Sequence, residues 1–175
     1  MVGGRRVIDR VHAALLPVTG AIVLVANDPS AASWLAPTRV VGDLHAGAGG
    51  LAGVHAALAI GGDVLAVAWD MPFVTSALLA AIHERAESAN DDVCVPESES
   101  PYGIEPFCAF YRRTTLAPLH EFLAAGGGSA RDFLARCTVA RLPLADVRAI
   151  GDPDALFLSV NSADDLERAR SLERV

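Results

Sequence analysis

The sequence contains no apolar run long enough to span a membrane. Its longest uninterrupted runs, such as Val64–Trp69, have the length of buried strands. Arg5 and Arg6 stand near the start, but no apolar signal region with a small-residue cleavage site follows them. The expectation from these absences is a cytoplasmic protein. Basic residues are in the minority, 14 Lys and Arg against 21 Asp and Glu, for a net charge of −7. That balance argues against general nucleic-acid binding, which rests on basic patches that displace counterions. It leaves room for a single nucleotide, because a magnesium ion can mediate between carboxylate and phosphate. Cysteine is scarce: Cys94, Cys108 and Cys137 form no Cys-x-x-Cys pair, so neither a cysteine zinc site nor a disulfide framework is supported. Cys94 and Cys108 lie in apolar runs and read as core residues. No Gly-x-Ser-x-Gly elbow occurs, and no Gly-Lys-Ser/Thr follows a glycine-rich turn. The histidines at 12, 45, 55, 83 and 120 show no metal-ligand spacing. His45 and His55 flank a glycine-rich loop, where they either approach a substrate or take surface or core positions, and the latter is the preferred expectation.

What is present is an alternation of helical and strand patterns over 175 residues, the length of one domain spanning 1–175. Val7, Ile8, Val11 and Leu15 recur at helical spacing over 5–16. Ala21–Ala26 is a short, continuous apolar run of the kind found in strands covered on both faces. A short helix is expected over Pro29–Leu35 and a second strand over Thr38–Val41. A loop with four glycines then precedes a helix over Leu51–Ile60, closed by Gly61 and Gly62. Val64–Trp69 is the clearest buried strand, and Thr75 can cap the helix that runs to Ala89. Strands are expected at Asp92–Val95, Phe107–Tyr111, Val139–Leu142 and Phe157–Val160. Helices are expected at Leu116–Ala125, Ala130–Arg136 and Ala163–Leu172, the last with Ser162 and Asp165 placed as a capping box. This order predicts a three-layer α/β sandwich with a Rossmann-like, mainly parallel sheet.

Ligands of such sheets bind beyond the carboxyl ends of the strands. Three polar residues stand there: Asn27 after IVLVA, Asp43 after TRVVG, and Asp70 after VLAVAW. An aspartate in the place of Asp70 either holds Mg²⁺ against phosphates or caps the following turn. With Asp43 at a matching strand end, the metal reading is preferred. The Asp43 carboxylate can accept from a base edge or a sugar hydroxyl, serve a metal, or simply solvate a turn. Asn27 is a base contact or a turn asparagine. The glycines between Gly47 and Gly53 would let backbone approach an anion at a helix N-terminus.

Taken in order, these pieces resemble the MobA-like NTP transferases, and among them the molybdenum cofactor guanylyltransferases. The stretches that carry the resemblance are IVLVAN, RVVGD, GGLAGVHAAL, AWDMPF, EPFCAFYRR and VNSADDLERA, and they cover essentially the whole chain. The resemblance implies a fold of the nucleotide-diphospho-sugar transferase type. It implies transfer of GMP from GTP to a molybdenum-molybdopterin cofactor with release of pyrophosphate. Asp70 would be the catalytic residue that holds Mg²⁺ and the nucleotide phosphates. Asn27, Asp43, Gly50, Leu51 and Gly53 would contact the nucleotide. Glu105, Pro106 and Asn161 would lie on the acceptor side. The partners implied are GTP and the molybdopterin-type cofactor, with a homo-oligomer or a cofactor-delivery protein left open. Gly50 stands where the family has a proline, and Trp69 where a small residue or cysteine is common. The sequence opens at Met1-Val2-Gly3-Gly4-Arg5, with no counterpart of the family's Leu-Ala-Gly-Gly-x-Ser-x-Arg-Met-Gly-x-x-Lys loop. Without that loop and its strand, the expectation is an exposed sheet edge or an open slot beside AIVLVA, and no donors to neutralise the phosphates. Two other readings stay open: a related transferase using CTP or another NTP, and an inactive nucleotide-binding or partner protein.

Overall fold

The computed structural model describes residues 1–45 and 47–173. Helix α1 (Val7–Leu15) leads into strand β1 (Val23–Val25), which pairs in parallel with β2 (Arg39–Val41). A 3₁₀ turn over Pro29–Ser33 connects them, capped by Asp28 accepting from the Ser30 N–H. Next come α2 (Gly50–Ile60), β3 (Val64–Val67) and α3 (Ser76–Ser88). Thr75 caps α3 by accepting from the Leu78 N–H at 3.2 Å, as its position predicts. Strands β4 (Val93–Pro96) and β5 (Cys108–Tyr111) precede α4 (Leu116–Ala124), α5 (Ala130–Leu134) and β6 (Val139–Leu142). Helices α6 (Leu144–Ile150), α7 (Pro153–Leu156) and α8 (Ala163–Leu172) complete the described chain. The capping box of Ser162 and Asp165 is formed, and a second one joins Ser129 to Asp132 at the start of α5.

The strands β3, β5, β4 and β6 form one sheet in that order. β5 runs antiparallel to both neighbours, while β4 and β6 are parallel. β3, β4 and β6 therefore share one direction and β5 alone opposes them. The side-chain alternation shows why helices cover both faces. Cys94, Cys108 and Phe110 pack with α1, α3, α6 and α7, through Val11, Leu78, Ile82, Val147 and Leu156. Their neighbours Val93, Val95, Ala109 and Tyr111 pack with α2, α4 and α5, through Leu51, Leu58, Leu119 and Phe133. Period-two strands with both faces apolar yield helix, sheet and helix in layers. Tyr111 is fully buried and satisfies its hydroxyl by donating to the Pro106 carbonyl at 2.8 Å. Cys94 and Cys108 are core residues, as read from sequence.

Two departures from the sequence reading concern the last third. Phe157–Val160 is not a strand: the chain leaves α7 in a turn and then runs extended, with the Val160 N–H donating to the Asp70 carbonyl. The stretch does not pair with the sheet, so its apolar residues fill gaps instead; Leu158 packs with Val2 and Ala169. Helix α6, unassigned from sequence, starts directly after Pro143, whose fixed φ suits a helix entry.

The feature that most shapes the molecule is a division of the sheet. β1 pairs with β2, and β3 pairs with β5, but among the described residues nothing bridges β1 to β3. Between them lies a cavity of about 860 Å³, with Gly20–Asn27 on one side and Asp63–Asp70 on the other. Gly53, Val54 and Ala57 of α2 line it too, as do Leu15 of α1 and His83 of α3. A slot thus runs beside AIVLVA. Its long sides are backbone edges.

Candidate functional site

Parallel pairing of β1 and β2 brings their carboxyl ends together, and with them Asn27 and Asp43. The two residues lock reciprocally. Asn27 Nδ2 donates to Asp43 Oδ2 at 2.7 Å, and the Asp43 backbone N–H donates to Asn27 Oδ1 at 3.0 Å. Gly42 permits this closure, because a Cβ there would stand 3.3 Å from Asn27 Oδ1. The other carboxylate oxygen, Asp43 Oδ1, is shielded from solvent and has no hydrogen-bond partner.

Asp70 is fixed from both sides. The Ala68 N–H donates to the Phe107 carbonyl at 2.7 Å, and the Asp70 carbonyl accepts from the Val160 N–H at 2.9 Å. Met71 and Val74, both buried, anchor the turn that follows. The Asp70 carboxylate makes no compensating bond at Oδ1, which is also shielded and unpartnered. An unsatisfied buried polar oxygen costs about 1–3 kcal/mol, so two of them at strand ends mark a place built for a partner that supplies positive charge. Oxygen donors of this kind suit a hard cation such as Mg²⁺.

Asn27, Asp43 and Asp70 all line the cavity, together with Gly49, Gly50, Gly53, Trp69 and Phe107. Gly49 adopts a φ of 65°, which favours glycine, and turns the chain into α2. Gly50 then opens the helix against Phe107. The charged groups of the lining are one-sided. Among the described residues, Asp43, Asp63, Asp70 and Glu87 line it with one imidazole, His83, and no arginine. The sequence has no lysine at all. Among the described residues, the cavity walls therefore carry carboxylates and backbone groups but no fixed positive charge.

Not every residue expected at the site faces this cavity. Leu51 is 2% exposed and packs into the core under α2. Glu105, Pro106 and Asn161 are outside the lining. Pro106 supplies the carbonyl that Tyr111 uses. Burial pushes the Glu105 carboxyl above the usual range, offset in part by hydrogen bonds from Ser98 and Ser100. Asn161 is exposed, one residue beyond the contact between Val160 and Asp70. One grouping escaped the sequence reading altogether. His45, His55 and His120 converge, although they lie on the loop after β2, on α2 and on α4. Only the three-dimensional packing of α2 against α4 brings them together.

Comparison with known proteins gives the chain its family. The profile of the MobA-like NTP transferase domain matches residues 1–142. The chain belongs to the MobA-like NTP transferase family. A molybdenum cofactor guanylyltransferase of Desulfosudis oleivorans is 34% identical over 175 aligned residues, covering 98% of this chain and 84% of that protein. A probable molybdenum cofactor guanylyltransferase of Pelotomaculum thermopropionicum is 32% identical, covering 95% of this chain and 80% of its own length. Among solved structures, a molybdopterin-guanine dinucleotide biosynthesis protein A of Archaeoglobus fulgidus superposes with a TM-score of 0.84 at 29% identity, covering 98% of this chain and 87% of that one. A 2-C-methyl-D-erythritol 4-phosphate cytidylyltransferase of Thermus thermophilus, at 20% identity and a TM-score of 0.66, shares the fold. The MobA-like chain described here is thus a nucleotidyltransferase by family and by fold. No helix among its described residues is long and apolar enough to cross a membrane.

Proposed function

We propose that this chain transfers GMP from GTP to a molybdopterin-type cofactor, releasing pyrophosphate. The observation that carries the reading is the pair of unpartnered carboxylate oxygens of Asp43 and Asp70 in one strand-end cavity. It occurs in a chain 34% identical to a molybdenum cofactor guanylyltransferase.

In this reading a terminal phosphate oxygen of the acceptor attacks the α-phosphorus of GTP. The bond to the β-phosphate bridging oxygen breaks, and its electrons leave with pyrophosphate. Mg²⁺ would be held by Asp70, with Asp43 nearby, and when bound would neutralise charge on the phosphates. Asp70 orients the reacting phosphates, because its backbone is pinned by Val160 and cannot swing away. Asn27 keeps the Asp43 carboxylate aimed into the cavity and leaves Oδ1 free for the nucleotide or the cation. The first turn of α2, opened by Gly49 and Gly50, offers backbone N–H groups to an anion, and Gly53, without a side chain, lets a ligand approach the helix closely. On the acceptor side, Asn161 follows Val160, whose N–H is bonded to the Asp70 carbonyl, while Glu105 and Pro106 would shape the wall beyond the cavity. A cytoplasmic setting belongs to the same reading.

The cavity's lack of fixed positive charge favours a second requirement. Phosphate donors must come from outside the lining, and the family's glycine-rich loop with its lysine would supply them. The test compares the 175-residue polypeptide with one extended by that loop, both given GTP, Mg²⁺ and molybdopterin. Pyrophosphate release by the extended form and little by the shorter one is expected. Equal turnover of CTP would overturn the choice of base. Nucleotide binding without turnover in the extended form would favour an inactive binding protein.

A further inference from the structure

Helix α2 has two working faces. Gly50, Gly53, Ala57 and Ile60 face the cavity, and His55 lies on the opposite side of the helix, 4% exposed. There its ring meets those of His45 and His120, with centroid separations of 4.8, 5.3 and 5.2 Å around the triangle. One nitrogen from each ring lies within 4.8 Å of the others. His45 Nε2 and His55 Nδ1 are shielded from solvent and have no hydrogen-bond partner. Buried polar atoms are nearly always satisfied in native proteins, so two orphaned imidazole nitrogens in one cluster ask for a ligand.

We propose that His45, His55 and His120 form a binding site for a borderline-soft divalent transition metal, Zn²⁺ foremost, separate from the carboxylate site in the cavity. The donor set decides the metal. Three neutral imidazoles without a carboxylate suit zinc and its neighbours, not Mg²⁺ or Ca²⁺, which demand oxygen. Burial holds the His55 imidazole below its ordinary pKa, and His45 and His120 push it the same way. Tetrahedral zinc with bonds of about 2.0–2.1 Å places its nitrogens about 3.4 Å apart. The rings must draw in by about 1 Å from their present spacing. His120, exposed on α4, and His45, on a loop, can do so by side-chain rotation about the fixed His55. Three protein ligands leave a fourth position, which the exposed His120 side opens to water. The metal would tie the loop after β2 to α2 and α4. Because His45 is two residues beyond Asp43, it would brace the loop that carries one wall of the cavity.

The test uses the full chain stripped of metal and titrated with Zn²⁺ alone under equilibrium dialysis, with thermal midpoints recorded in parallel. About one zinc per chain and a raised midpoint are expected. His45→Ala and His120→Ala should each weaken zinc binding by at least about 100-fold and remove the midpoint increase. Neither residue is in the core, so the metal-free midpoints should stay near that of the parent. If His120→Ala lowers its metal-free midpoint, His120→Gln replaces it in the comparison. Asp70→Asn should bind zinc as the parent does, and excess Mg²⁺ should not displace it. Absence of tight zinc binding, retention of full affinity in either histidine variant, or displacement by Mg²⁺ overturns the proposal.

Discussion

Gly50 and Phe107 fit each other so closely that position 50 has no room for a side chain. A Cβ at 50 would fall 2.5 Å from Phe107 Cε1 and 2.7 Å from Cζ. Phe107 in turn lines the cavity and gives its carbonyl to Ala68, on the way to Asp70. The glycine that replaces the family's proline is thus matched to the aromatic ring beneath it.

This pairing makes two glycines of one helix respond oppositely to alanine. Gly50→Ala forces Phe107 aside and should destabilise by about 1–3 kcal/mol, as overpacking does. Gly53→Ala places its Cβ 3.9 Å from Val25 Cγ1, an ordinary contact. It should stabilise by about 0.5–1 kcal/mol, the usual difference between glycine and alanine within a helix. Urea unfolding of both variants checks the contrast. Similar destabilisation by both would mean that the cavity face of α2 is packed differently.

Asn27→Ala removes the donor that holds Asp43 Oδ2. Asn27 is exposed, so stability should change by no more than about 0.5 kcal/mol. Nucleotide affinity should fall about tenfold, the equivalent of one charge-assisted hydrogen bond. Isothermal titration with GTP and Mg²⁺ measures it. Unchanged affinity would remove the Asn27–Asp43 pair from the nucleotide site.

Asp70→Asn keeps the shape and local hydrogen bonds of a turn residue but removes the charge that a hard cation requires. In a form with the glycine-rich loop supplied, turnover should drop by about 10²–10³-fold. The thermal midpoint should hardly move. Preserved turnover would reject the metal role, and a collapsed midpoint would show that Asp70 acts through structure.

Alkaline stability should report the buried thiols. Burial raises Cys94 from an ordinary 9.0 to about 11 and Cys108 to about 12. Below pH 9 both forms of the chain keep these thiols protonated, and stability is unaffected. Above it the unfolded chain ionises first, so stability is lost as pH climbs from 9 toward 11 and 12. Each thiol contributes a slope of up to about 1.4 kcal/mol per pH unit. Urea unfolding between pH 7 and 10.5 should show that decline, and Cys94→Ala should make it shallower. An identical slope in the variant would contradict the assignment.

The strands were legible from the continuous apolar runs IVLVA and VLAVAW, but their ends were not: β1 stops at Val25 and β3 at Val67, before Asn27 and Asp70, and Trp69 is exposed rather than buried in a strand. Runs of that kind have few alternatives to a buried strand. FLSV at 157–160 has the same short apolar character but follows a four-residue helix begun by Pro153 and finds no strand partner. Pairing is a tertiary property, so composition could not separate the two cases. Leu51 fell on the core side of α2 because a helix turns by about 100° per residue, and the motif spacing did not say which face met the cavity. The histidines were invisible for a related reason. His45 and His120 are far apart in sequence, and only the packing of α2 on α4 sets them beside His55.

The gap between β1 and β3 divides the site as well as the sheet. Asn27 and Asp43 follow the strands of the two-stranded ribbon, whereas Asp70 lies in the turn after β3 of the four-stranded sheet. No ladder hydrogen bond crosses from one to the other among the described residues. The ribbon is therefore free to open as a unit at a lower cost than global unfolding, and its amides should exchange with deuterium before those of β4 and β5. Such an opening would carry two of the three site residues away from the third. If these three residues act together as proposed, their assembly would be a local equilibrium in its own right, and whatever clasps the seam would also set the fraction of molecules competent to bind.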